Sequence, residues 1–86
     1  MFKFTNASAD LYIQLKGANA GQPLRKKIPN SIGIITDQEV LLPDFLYYTL
    51  LSLFSSGAFR PYLKGSVVPY IRISDITKVL INHWYK

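Results

Sequence analysis

The chain has 86 residues, 49% of them apolar, with no cysteine and one histidine. That length argues for one domain over 1–86, and the apolar content for a folded core; a disulfide framework and a Cys/His zinc site are excluded. Ten Lys and Arg against five Asp and Glu leave a net charge of +5, which suits a polyanionic partner and speaks against an acidic mimic of DNA.

Residues 1–9 read as a short leader, with a turn at Asn6, Ala7 and Ser8. The segment Met1–Asp10 has no apolar stretch of signal-peptide type, and no apolar run is long enough to span a membrane. Leu11-Tyr12-Ile13-Gln14-Leu15 is β-rich and largely apolar, which predicts a mostly buried strand. Gly17 to Asn30 reads as a loop, because Gly17, Asn19, Gly21, Gln22, Pro23, Pro29 and Asn30 all favour turns. With Lys16 beside it, this segment carries Lys16, Arg25, Lys26 and Lys27, four of the ten cations.

Ser31-Ile32-Gly33-Ile34-Ile35-Thr36 predicts a second strand, Asp37-Gln38 a turn, and Glu39-Val40-Leu41-Leu42 a short extended piece. The clearest helix signal follows. Pro43 suits the first helical position, Asp44 sets a negative charge near the positive end of the helix dipole, and Ser55-Ser56-Gly57 ends the run. Apolar residues cover most of its circumference, which predicts a largely buried helix. Phe59 to Leu63 reads as one helical turn interrupted by Pro61, and Gly65-Ser66 as a turn. Val67–Ile73 reads as a strand with Pro69 at an edge or entry position, Ser74-Asp75 as the cap of a short turn, and Val79-Leu80-Ile81 as a last strand. The expected architecture is α+β, a small mixed or antiparallel sheet with one main buried helix.

No convergent set of ionisable groups points to catalysis. No serine sits in a G-x-S-x-G turn, and His83 falls on a surface tail. Asp44 followed by Asp75 and Lys78 lacks the spacing of a nuclease acid-x-Lys pair, and the helix dipole already accounts for Asp44. Lys16-Gly17-Ala18-Asn19-Ala20-Gly21 lacks the spacing and the Lys-Ser/Thr of a phosphate-binding P-loop. The expectation is a protein without catalytic residues, cofactor or metal.

Three segments in order carry a resemblance. Ala9-Asp10-Leu11-Tyr12-Ile13-Gln14-Leu15-Lys16-Gly17-Ala18-Asn19-Ala20-Gly21 matches a strand followed by a glycine loop. Leu42-Pro43-Asp44-Phe45-Leu46-Tyr47-Tyr48-Thr49-Leu50 matches an L-P-x-(aromatic)-L-Y-Y-x-L helix start. Gly65-Ser66-Val67-Val68-Pro69-Tyr70-Ile71-Arg72-Ile73-Ser74-Asp75-Ile76 matches a G-S-x-x-P turn and strand, with aliphatic Val79-Leu80-Ile81 after it. Across roughly residues 9–81 this order resembles the target recognition domain of type I restriction–modification specificity subunits. The resemblance implies a non-catalytic module that binds double-stranded DNA in the cytoplasm, alongside a methyltransferase/restriction complex or as a homodimer. It implies no membrane partner.

On that resemblance, the flanking loops face DNA. Lys16, Asn19, Gln22, Arg25, Lys26, Lys27 and Asn30 lie in or beside one loop, and Arg60, Lys64, Ser66, Tyr70 and Arg72 around the Gly-Ser turn. Lys and Arg neutralise phosphates, while Asn, Gln and Arg read base edges. The DNA-binding reading predicts that the cations of Lys16–Lys27 and Arg60–Arg72 share one face. The alternative is a small interaction protein of phage or mobile-element type that uses the same fold to occupy a protein complex; it predicts an exposed apolar patch.

Overall fold

The two β-rich runs Leu11–Gln14 and Ser31–Thr36 lie side by side in antiparallel register, and the rest of the domain is arranged around that pair. The computed structural model describes residues 1–85. In chain order the elements are β1 (Phe2–Thr5), β2 (Leu11–Gln14), β3 (Pro23–Leu24), β4 (Ser31–Thr36), α1 (Pro43–Ser55), a 3₁₀ turn (Arg60–Tyr62) and α2 (Ile73–Trp84). The strands form one four-stranded antiparallel sheet in the order β1-β4-β2-β3. The domain is therefore α+β, with an antiparallel sheet and two helices. Among the described residues no helix is long and apolar enough to cross a membrane.

The period-2 alternation of side chains explains how the sheet is covered. Register places Phe4, Ile34 and Leu11 in one row and Ile32 opposite Ile13, all on the same face. That face meets Leu46, Leu50 and Leu53 of α1, Ile76, Val79 and Leu80 of α2, and Phe59 and Ile71 from the connecting loops. The other face holds the row Thr5–Gly33–Tyr12. Gly33 is required there by space: a Cβ on it would lie 2.6 Å from the Ala9 Cβ. The connection after β1 crosses at this point, and the Ala9 N–H donates to the Tyr12 hydroxyl at 3.0 Å.

Local chemistry sets both ends of α1. Pro43 occupies the first helical position and Asp44 the first turn. At the other end Gly57 has φ +82°, the Gly57 N–H donates to the Phe54 carbonyl and the Ala58 N–H to the Leu53 carbonyl. This pair of bonds is a Schellman closure, which needs a left-handed residue at that position. The helix packs by one face only: Leu46, Leu50 and Leu53 are buried, whereas Phe45 and Tyr48 stay exposed.

Several sequence-based expectations are corrected. The leader contains β1, which pairs with β4 through non-local hydrogen bonds that no local pattern signals. The loop Gly17–Asn30 is divided by β3. Glu39 and Val40 are in a turn, where the Val40 and Leu41 N–H groups both donate to the Asp37 carbonyl, not in an extended piece. Of Val67–Ile73, residues 67–72 are irregular apart from isolated bridges at Tyr70, and Ile73 begins α2. Val79-Leu80-Ile81 lies inside α2, whose buried residues Asp75, Ile76, Val79 and Leu80 follow helical spacing. His83 is exposed as expected but lies in the last turn of α2 rather than on a tail, and Trp84 beside it packs edge-on against Phe2 with ring centroids 6.2 Å apart.

Candidate nucleic-acid interface

The chain leaves β2 at Gln14 and enters the loop Lys16–Gly21, which is tied down by backbone bonds. The Gly21 N–H donates to the Gln14 carbonyl at 2.7 Å and the Gln22 N–H to the Asn19 carbonyl at 2.9 Å. Lys16 is then met by the segment before α2. The Gly17 N–H donates to the Pro69 carbonyl at 2.8 Å, and the Ile71 N–H to the Leu15 carbonyl at 2.9 Å. These bonds bracket Lys16 opposite Tyr70 in an antiparallel bridge. On the other side of Tyr70 stands Lys64, whose N–H and carbonyl exchange 2.9 Å bonds with those of Tyr70.

The result is a short ladder in which Tyr70 lies between two lysines. Residues opposite one another in such a ladder project from the same face. Ile71 is buried, so its neighbours Tyr70 and Arg72 point outward. The outer face of the ladder thus presents Lys16, Tyr70 and Lys64, with exposed Arg72 just beyond at the start of α2. Asn19 and Arg60 line a cleft of about 320 Å³ together with Phe54 and Leu63. Ser66 is exposed in the loop Gly65–Pro69. Gln22 is half-buried at the entry to β3.

The remaining sequence-predicted residues are elsewhere. Because β3 runs antiparallel to β2, Arg25, Lys26 and Lys27 emerge at the end of the sheet away from Lys16. Arg25 is engaged within the chain. Its guanidinium donates to Asp44 Oδ1 at 2.7 Å and lies 3.7 Å from the centre of the Tyr47 ring. The hydrogen bond to Asp44 holds the guanidinium above its ordinary value, with the Asp44 charge and the Tyr48 hydroxyl adding to it against partial desolvation. The Lys27 ammonium donates to the Asn6 carbonyl at 2.8 Å. Lys26 is exposed. Asn30 adopts φ +63° in the turn before β4, and its carbonyl accepts from the Leu15 N–H. The structure therefore brings Lys16, Lys64 and Tyr70 together, with Arg72 following, and Asn19 and Arg60 line one cleft; Arg25, Lys26 and Lys27 emerge at the other end of the sheet, which corrects the expectation that all cations of Lys16–Lys27 and Arg60–Arg72 share one face.

Sequence reasoning missed two features of this region. Val67 and Val68 are exposed at the loop tip beyond Lys64 and Tyr70, and the signal for that was their position between Gly65 and Pro69. Tyr47 serves as a platform for Arg25, which no spacing in the sequence shows.

The sheet, its two helices and the bridges at Tyr70 define a small α+β domain. The chain belongs to DUF6943, a family of unknown function, which it matches over residues 3–86. No curated protein and no solved structure matches it.

Proposed function

We propose that the chain is a non-catalytic domain that binds double-stranded DNA through the outer face of the Lys16–Tyr70–Lys64 ladder. The observation that carries this reading is the pairing of Tyr70 with a lysine on each side, with Arg72 two residues on. Backbone bonds hold the main chain of Lys16, Lys64 and Tyr70 in place before any ligand arrives. Phosphate contacts gain from such preorganisation, and exposed Asn19 supplies an amide able to read a base edge. The resemblance to target recognition domains supports the same ligand and a cytoplasmic setting, with a restriction complex or a second copy as partner.

Fluorescence-anisotropy titration of a random-sequence duplex at roughly 50 and 200 mM salt tests this. Four phosphates neutralised by Lys16, Arg60, Lys64 and Arg72 give a log–log slope of about −3.6, so affinity falls about 150-fold over that range. Replacing Lys16 and Lys64 together by Gln halves the slope to about −1.8. Replacing Lys26 and Lys27 by Gln leaves it nearly unchanged. Absence of binding at the lower salt, or a larger effect at Lys26 and Lys27, refutes the proposal.

A protein partner is the second reading, and one observation favours it. Leu42, Phe45 and Tyr48 recur at helical spacing on the uncovered face of α1, with exposed Val40 next to them. Such a stripe fits an apolar partner surface better than a polyanion. Retention of a partner by the Lys16/Lys64 variant and its loss in Phe45→Ser separates the two readings.

A further inference from the structure

The loop Gly65–Pro69 carries two exposed valines that take no part in the hydrophobic core. Val67 is 89% exposed and Val68 55% exposed. The loop beneath them is tightly held. Lys64 and Tyr70 close its base with two 2.9 Å backbone bonds, and the Pro69 carbonyl is anchored by the Gly17 N–H. Gly65 turns the chain at φ +92°, with the Val68 carbonyl close against it and the Tyr70 ring 3.3 Å from where a Cβ would stand. Valine is β-branched and stiff at χ1, so both tips are presented in few conformations. The base of the loop carries Lys64 and Tyr70, Lys16 stands across from Tyr70, and Arg72 follows two residues on.

An apolar tip on a loop whose base carries Lys64, with Lys16 and Arg72 adjoining Tyr70, has a physical counterpart in proteins bound to duplex DNA. Proteins that approach the minor groove use Lys and Arg on the flanking phosphates and press a compact apolar side chain between two base pairs. We infer that Val67 and Val68 form such a wedge, entering the minor groove and parting a flexible base step; this rests on the DNA-binding reading above. The charge of the surround selects a polyanion over an uncharged partner. A base step takes one or two apolar side chains, whereas holding a segment in a bilayer interface takes a broad apolar face, and this loop offers only Val67, Val68 and Pro69.

The test uses a duplex with a fluorescent adenine analogue at a central TA step and a donor–acceptor pair at its ends. On binding, the wild-type protein brightens the analogue by unstacking it and shortens the end-to-end distance through a kink of roughly 20–90°. The double variant Val67→Ser, Val68→Ser keeps its fold, since both side chains are exposed, and keeps the salt slope, since every cation remains. It neither brightens nor bends the duplex. Wild-type binding without brightening or bending overturns the wedge and leaves the DNA reading intact, as does full bending by the variant. No duplex binding by the wild-type protein overturns both. Capture of phosphatidylserine vesicles by the wild-type protein but not the variant assigns the valines to a lipid surface and overturns the wedge.

Discussion

Gly65 and Gly57 both have left-handed backbones, at φ +92° and +82°, yet alanine at the two sites should have very different effects. At Gly57 a Cβ meets nothing closer than the Arg60 side chain at 3.4 Å, which can move aside. The cost there is the backbone strain alone, about 1–2 kcal/mol. At Gly65 the same strain is joined by overlap with the Val68 carbonyl oxygen, part of the main chain of the same tight loop. Overpacking of that kind adds about 1–3 kcal/mol, for a total of roughly 2–5 kcal/mol. In a domain of this length each kcal/mol lowers the Tm by about 4–8 °C. Gly57→Ala should therefore melt about 5–15 °C below wild type and Gly65→Ala about 10–40 °C below it. If the loop gives way locally instead, the loss appears as faster amide exchange at Lys64 and Tyr70, whose mutual bonds close the loop. Thermal unfolding followed by circular dichroism, with exchange measured at those two amides, reads both outcomes. Equal melting of the two variants, together with unchanged protection at Lys64 and Tyr70, would refute this reasoning.

Leu50 is fully buried between α1 and the sheet, so Leu50→Ala should destabilise the domain by about 2–5 kcal/mol; a loss under about 1 kcal/mol in denaturant titration would place Leu50 outside the core. Gly33→Ala should cost about 1–3 kcal/mol because its Cβ would press on Ala9, and adding Ala9→Gly should restore most of the loss. Failure of that second substitution to restore stability would show that the contact with the Thr5 carbonyl, 3.1 Å away, dominates instead.

What was legible in the sequence was what short-range chemistry decides. Pro43, Asp44 and Gly57 mark the ends of α1 because a helix start and a left-handed closure each need particular residues. The β-rich runs of β2 and β4 were visible for the same reason. The misreadings fall where a distant partner decides. Phe2-Lys3-Phe4-Thr5 alternates aromatic and polar residues, a short strand signal passed over at the chain start, and it is the edge offered by β4 that makes it a strand. Val79-Leu80-Ile81 has strand-like composition, but the wider spacing of Ile76, Leu80 and Trp84 places them on one side of a helix. Arg25, Lys26 and Lys27 read as one loop with Lys16 until the pairing of Pro23 with Ile13 sends them to the far end of the sheet. Lys64 and Tyr70 were grouped around the Gly-Ser turn from the sequence, whereas their bridge to Lys16, some fifty residues earlier in the chain, depends on tertiary pairing that no local pattern shows.

The edge-on contact of Phe2 with Trp84 has a consequence for how the domain comes into being. The first strand finds its neighbour in the sheet only after β4 has been made, and its aromatic cover only after the final turn of α2. Early segments emerging from a ribosome hold their apolar side chains open to water throughout that interval, and contacts so remote in sequence slow closure further. The nascent protein is therefore exposed to aggregation and to chaperones until synthesis has passed Trp84, and folding should complete late and in one cooperative step.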